Sequence, residues 1–180
     1  IVNFDGGTFC ARTAGNLFNT GVNAPDAVNI YAAGATFDTT NLACTIPVPL
    51  VSPVGNGVSA IDIAPRGGYI GPPMVTITGG GGTGATAIAQ FDSSRGFVNG
   101  ITITSPGYGY TSVPTVSLSG GGTNIHNAAT ATLSANVGGG LTKIGTGTLT
   151  LSAANTYTGA TTIAGGTLKL GTAAALMPNT

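Results

Sequence analysis

Short runs in which Val, Ile or Leu alternate with Thr or Ser, divided by clusters of glycine, recur along the whole chain. Val75-Thr76-Ile77-Thr78, Ile101-Thr102-Ile103-Thr104, Val116-Ser117-Leu118-Ser119, Thr148-Leu149-Thr150-Leu151 and Thr167-Leu168-Lys169-Leu170 are the clearest. A period of two puts alternate side chains on opposite faces of an extended strand, and glycine clusters between such runs are turn signals. Glu, a strong helix former, does not occur, and only residues 11–18 and 172–177 would pass for a short helical turn. The pattern predicts an all-β chain.

The runs are organised into repeats. Ile61-Asp62-Ile63, Gly68-Tyr69, Pro73, Val75, Ile77 and a glycine run return as Ile101-Thr102-Ile103, Gly109-Tyr110, Pro114, Val116, Leu118 and a second glycine run. The offset is 40 residues before the Gly-Tyr pair and 41 after it, and Ala85-Thr86-Ala87 matches Ala129-Thr130-Ala131 at 44. The added residues are expected in the loop around Asn124 to Asn127. The last quarter has a shorter rhythm, with Leu149 and Leu168 spaced by 19 residues. That length is close to one coil of a β-helix, whose coils bury their apolar sides only by stacking on neighbours. The chain therefore divides into three segments: β-solenoid coils over 1–54, two Gly-Tyr and Gly-rich repeats over 55–136, and further coils over 137–180. The middle segment reads either as more coils or as an inserted side domain of β-hairpins.

Composition excludes several functions. Charged residues are 6% of the chain and the formal net charge is zero. A nucleic-acid partner needs a concentrated basic surface, and attachment to anionic lipid needs a polybasic patch. Neither is present. The most apolar stretch, 46–54, is broken by Pro47, Pro49 and Pro53, so this segment is not expected to insert in a membrane as a helix. A surface of Thr, Ser and Asn without charge lets like surfaces approach. The chain starts at Ile1 without a charged-then-apolar leader, which suggests a processed or excised segment.

Gly139-Gly140-Leu141-Thr142-Lys143-Ile144-Gly145-Thr146-Gly147-Thr148-Leu149-Thr150-Leu151 leads into Asn155-Thr156-Tyr157-Thr158-Gly159, then Thr161-Thr162-Ile163 and Gly165-Gly166-Thr167-Leu168-Lys169-Leu170-Gly171. This stretch resembles the autotransporter-associated β-strand repeat, also called the passenger-associated transport repeat. The two Gly-Tyr units at 58–91 and 98–133 are similar to repeats found beside it in very large bacterial surface proteins. The resemblance implies a right-handed parallel β-helix, an extracellular or cell-surface location, and a passenger, stalk or fibre role without catalytic residues. Family members often run from a Leu-Gly…Ala-Leu segment into a Val-Asn-Phe-like strand. Here 170–180 stops where Ile1-Val2-Asn3-Phe4 would continue. The expected partners are therefore neighbouring repeats of the same chain or further copies stacked head to tail, with Val2, Phe4, Leu168 and Leu170 at the stacking ends.

The chemistry-bearing residues support little else. Gly79-Gly80-Gly81-Gly82-Thr83-Gly84 contains a G-x-G-x-x-G pattern, but Ala85-Thr86-Ala87-Ile88-Ala89 after it reads as strand, not as the helix a nucleotide loop requires. No cofactor is expected. The glycine runs lack the Asp of calcium-binding nonapeptides, and His126 is the sole histidine, so no metal site is expected. The five Asp are scattered; Asp5 and Asp38, with Arg12, form the one constellation worth testing for polysaccharide chemistry, against the reading that turn carboxylates bond local N–H groups. Tyr69, Tyr108 and Tyr110 offer an adhesin reading, as exposed rings that stack on sugars, against one in which they cover space left by glycine. Cys10 and Cys44 permit one disulfide outside the cell. Strand parity favours instead an inward Cys44 and an outward Cys10.

Overall fold

The computed structural model describes residues 1–25, 28–64, 67–122 and 129–176. It is all-β, with single 3-10 turns at Gly21–Asn23 and Ala173–Ala175. Asp26, the loop holding Asn124, His126 and Asn127, and the last residues from Met177 lie outside the described residues. Two compact units form: Ile1–Pro53 with Val137–Thr180, and Val54–Asn136. In chain order the first unit supplies β1 (Val2–Phe4), β2 (Thr8–Cys10), β3 (Gly15–Asn16), β4 (Val28–Ile30), β5 (Ala35–Asp38), β6 (Ala43–Ile46) and β7 (Leu50–Val51). The second supplies β8 (Asn56–Ile63), β9 (Met74–Thr78), β10 (Thr83–Asp92), β11 (Phe97–Tyr108), β12 (Thr115–Ser119) and β13 (Ala129–Ala135). The first then resumes with β14 (Leu141–Ile144), β15 (Thr148–Leu151), β16 (Thr161–Ile163) and β17 (Thr167–Leu170).

Among the described residues, the strands of the first unit pair in parallel, with one isolated antiparallel bridge between Tyr31 and Gly138. Its three sheets have the orders β1-β4-β7, β2-β5-β14-β16 and β3-β6-β15-β17, so the chain visits the sheets in a fixed sequence, pass after pass. Val28 pairs with Leu50, an offset of 22. Phe37 pairs with Lys143, an offset of 106, of which 83 are residues 54–136 of the second unit, leaving 23. The second unit is thus an insertion in one pass, between β7 and β14. Parallel pairing sets like residues side by side: Phe9 beside Phe37, Asn3 beside Asn29, Leu149 beside Leu168, Leu151 beside Leu170. Alternation does the rest. Ala35 and Phe37 of β5, and Leu149 and Leu151 of β15, are buried while their neighbours are not. Phe37, Ile30, Ile46, Leu50, Leu141, Leu149 and Leu151 form the dry interior.

The second unit pairs antiparallel throughout and does not continue those passes. Its ladders join the first Gly-Tyr repeat to the second: β8 to β13, β9 to β12, and β10 to β11. Among the described residues, two rungs between β12 and β13 lie within one repeat. The pairing is twofold. Thr76 faces its own equivalent, Ser117. Ile61 pairs with Ala131 as Ile101 pairs with Ala89, and Val58 with Leu133 as Val98 with Phe91. Both ladders carry a register shift at the same place, after Thr132 and after Gln90. These equivalences correct the alignment of the alanine runs: Ala87 corresponds to Ala129 at an offset of 42, not 44. The short Ala-Thr-Ala text fits at either spacing, and only the strand partner decides.

Candidate functional site

The first unit ends in strand edges. Among the described residues, β1, β2 and β3 are each paired on one side, and so are β16 and β17 at the other end. Each edge leaves a row of backbone donors and acceptors, and each end leaves apolar side chains half covered. At the first end Phe4, Phe9 and Phe18 pack on buried Phe37, with centroids 5.3, 5.9 and 6.4 Å away. Val2 is also half-buried there. At the second end Leu168 is half-buried and Leu176 packs on the core, while Leu170 and Ile163 are about half exposed at 48% and 52%. A further parallel pass laid on either end would pair the edge and cover these side chains, as the interior passes do for one another.

Side chains bridging successive passes show how such an addition is held. Asn155 is buried; its Oδ1 accepts from Leu50 N at 2.8 Å, and its Nδ2 donates to Ala175 O at 2.7 Å. One amide therefore joins the pass before to the pass after. Asn29 Nδ2 donates to Asn3 Oδ1 at 2.9 Å across β1 and β4. Lys143 is fully buried, and its Nζ donates to the carbonyls of Ile144, Gly145 and Gly165 at 2.9, 2.8 and 2.9 Å. Gly166, at φ +67°, leaves room for it, since a Cβ there would lie 2.8 Å from Nζ. Burial holds the ammonium below the ordinary lysine range, with Asp38 opposing. Tyr157 shares a hydrogen bond with Thr161 Oγ1 at 2.5 Å, and burial pushes its phenol up. The sequence alone assigns no role to Asn155 or Lys143. The signal for Lys143 is its parity with Leu141, which places both inside β14.

The other candidates fare differently. Tyr69 and Tyr110 are core residues of the second unit, each only 4% exposed, and Tyr108 is half-buried on β11. This corrects the picture of exposed sugar platforms. A Cβ on Gly121 would meet the Tyr69 ring at 2.8 Å, and one on Gly80 the Tyr110 ring at 2.9 Å, so each ring lies over the glycine run of the other repeat. The disulfide is also corrected. Cys10 is exposed, Cys44 is buried, and both are free. They lie on strands of different sheets with side chains on opposite sides; Cys10 Sγ sits 4.0 Å from Asp38 Oδ2, and Cys44 Sγ is 3.9 Å from Thr13 O. Asp38 and Asp92 accept from the backbone N–H of Thr40 and Ser94, two residues on, at 2.7 and 2.9 Å, the local role of a turn carboxylate, whereas Asp5 accepts from Ala33 N, 28 residues away in the next pass, at 3.1 Å.

Among the described residues, the first unit presents one-sided strand edges flanked by half-covered apolar side chains at both ends. Residues 141–170, from the first residue of β14 to the last of β17, match the passenger-associated-transport-repeat family, and this stretch is one such repeat. No curated protein and no solved structure matches the chain.

Proposed function

We propose that the first unit is a short parallel β-helix serving as a non-enzymatic structural segment of an extracellular or cell-surface bacterial passenger, stalk or fibre. The observation that carries this reading is the one-sided pairing of β1, β2, β3, β16 and β17 around half-covered apolar ends. The repeat at 141–170 supports the passenger setting and a secreted or surface location. What covers the ends is like material, either adjoining passes of one polypeptide or another copy placed head to tail. A contact between two different faces does not close on itself and yields a filament.

Electron microscopy of the 180-residue chain, with its mass under denaturing, non-reducing conditions, tests this. Filaments that dissolve to single 17.4 kDa chains establish head-to-tail stacking of copies. Discrete monomers assign the ends to neighbouring passes of a longer chain. Joining two copies, Thr180 to Ile1, then decides: docked ends unfold in one transition above that of the single copy. Two copies that unfold as the single one does would sink the reading.

A further inference from the structure

The internal twofold of the second unit contains its own control. In the second repeat, the start of β12 is closed against β13 by two rungs, Thr115 with Thr130 and Val116 with Ala129. The equivalent residues of the first repeat are Met74 with Ile88 and Val75 with Ala87, and these do not pair. A groove of about 420 Å³ opens between them, lined by Pro72, Pro73, Met74 and Val75 on one side and Ala87, Ile88 and Ala89 on the other. Its rim has changed character as well. Where the closed seam shows exposed Thr115 and Thr130, the open seam shows Met74 at 66% and Ile88 at 58% exposed. The fold does not require apolar side chains at these positions, because the twin seam is built without them. Met74 and Ile88 therefore flank an unpaired strand edge, which is a template for pairing with another chain.

We infer that this groove is a homotypic docking surface, on which a second copy of the chain lays the same segment, Met74 to Thr76, antiparallel along the open edge of β9. The choice of partner rests on three features. β9 already pairs homotypically on its other edge, with β12, antiparallel about Thr76 and Ser117, so this pattern is complementary to itself. The second copy supplies Met74 and Val75 with the two rungs that β13 supplies to Thr115 and Val116. The groove lining carries no charge to select a charged ligand and no aromatic platform for a sugar, and a net charge of zero leaves no repulsion between copies. The contact is isologous and closes at two copies, unlike the open-ended stacking of the first unit.

The test is sedimentation velocity over a concentration series on the full 180-residue chain, in a Leu170→Lys background that blocks the end of the first unit. The expected result is a dimer, with Met74→Thr/Ile88→Thr raising its Kd roughly tenfold or more. Those substitutions install the residues of the twin seam, so circular dichroism and thermal unfolding stay as in the parent. A parent that is monomeric up to about 100 μM, or a double variant that dimerises as tightly, overturns the proposal. Electron microscopy with Leu170 restored reads stacking separately: loss of filaments with the dimer intact counts against the stacking reading alone.

Discussion

At the scale of the residue, buried polar side chains that bond backbone groups of their own and a neighbouring pass tie the parallel unit together. Lys143→Met would remove three charge-assisted bonds and leave three carbonyls without that donor. It is expected to cost about 2–3 kcal/mol in denaturant unfolding. The pH dependence has a definite sign. The folded ammonium has a pKa below 10.5, so the unfolded chain holds that proton more tightly. Stability therefore rises as pH climbs through the folded value and levels off near 10.5, a slope the methionine variant lacks. Tyr157 acts the other way. Its phenol is held above 10.0, so the unfolded chain releases the proton first and stability falls above that pH. Tyr157→Phe should abolish the fall, and comparing unfolding at pH 9 and about 11 for both variants separates the two groups. Nothing in the sequence alone singles out Lys143, because the three carbonyls it bonds come from two passes and meet only when the strands stack.

At the scale of the element, the intertwined repeats make equivalence measurable. Val58 and Val98 are both fully buried and occupy twin positions on β8 and β11. Each Val→Ala substitution should cost about 1–3 kcal/mol, and the two costs should agree within ~1 kcal/mol. Gly80 and Gly121 make a stricter pair. Both have φ near +75°, and an added Cβ would sit 2.6 Å from Ser112 O in one and 2.7 Å from Gly71 O in the other. Either Gly→Ala change should cost about 2 kcal/mol or more, through strained backbone and displacement of a tyrosine ring. Unequal costs at either pair would show that the twofold is one of text and not of energy. The strands were legible as alternation, and the repeat at 141–170 as a recognisable order of Gly, Leu and Asn-Thr-Tyr-Thr-Gly. For the tyrosines the sequence offers a choice between exposed sugar platforms and rings covering space left by glycine, and Tyr69 and Tyr110 lie over glycine runs. A Gly-Tyr pair reads as a loop, and nothing local reveals that the ring reaches across to the other repeat's glycines.

At the scale of the whole molecule, the second unit leaves and re-enters its host at adjacent points. Asn136 N donates to Gly55 O at 2.9 Å, and on the host side a Cβ on Gly138 would collide with the Ser52 hydroxyl. Replacing residues 54–136 by a short Gly/Ser linker should therefore leave the parallel unit able to fold, with a cooperative thermal transition in a strand-rich spectrum. A featureless, non-cooperative melt would show that the host needs its insert. The same adjacency matters under tension. A pull applied at Ile1 and Thr180 loads the parallel sheets first, while the insert, entering and leaving at one place, carries little of the load. Once the host gives way, the insert comes under load, and its 83 residues extend when its own antiparallel core opens. At ~3.4 Å per residue that is about 280 Å of slack. A stalk with such an insert would lengthen after its first rupture before it parted.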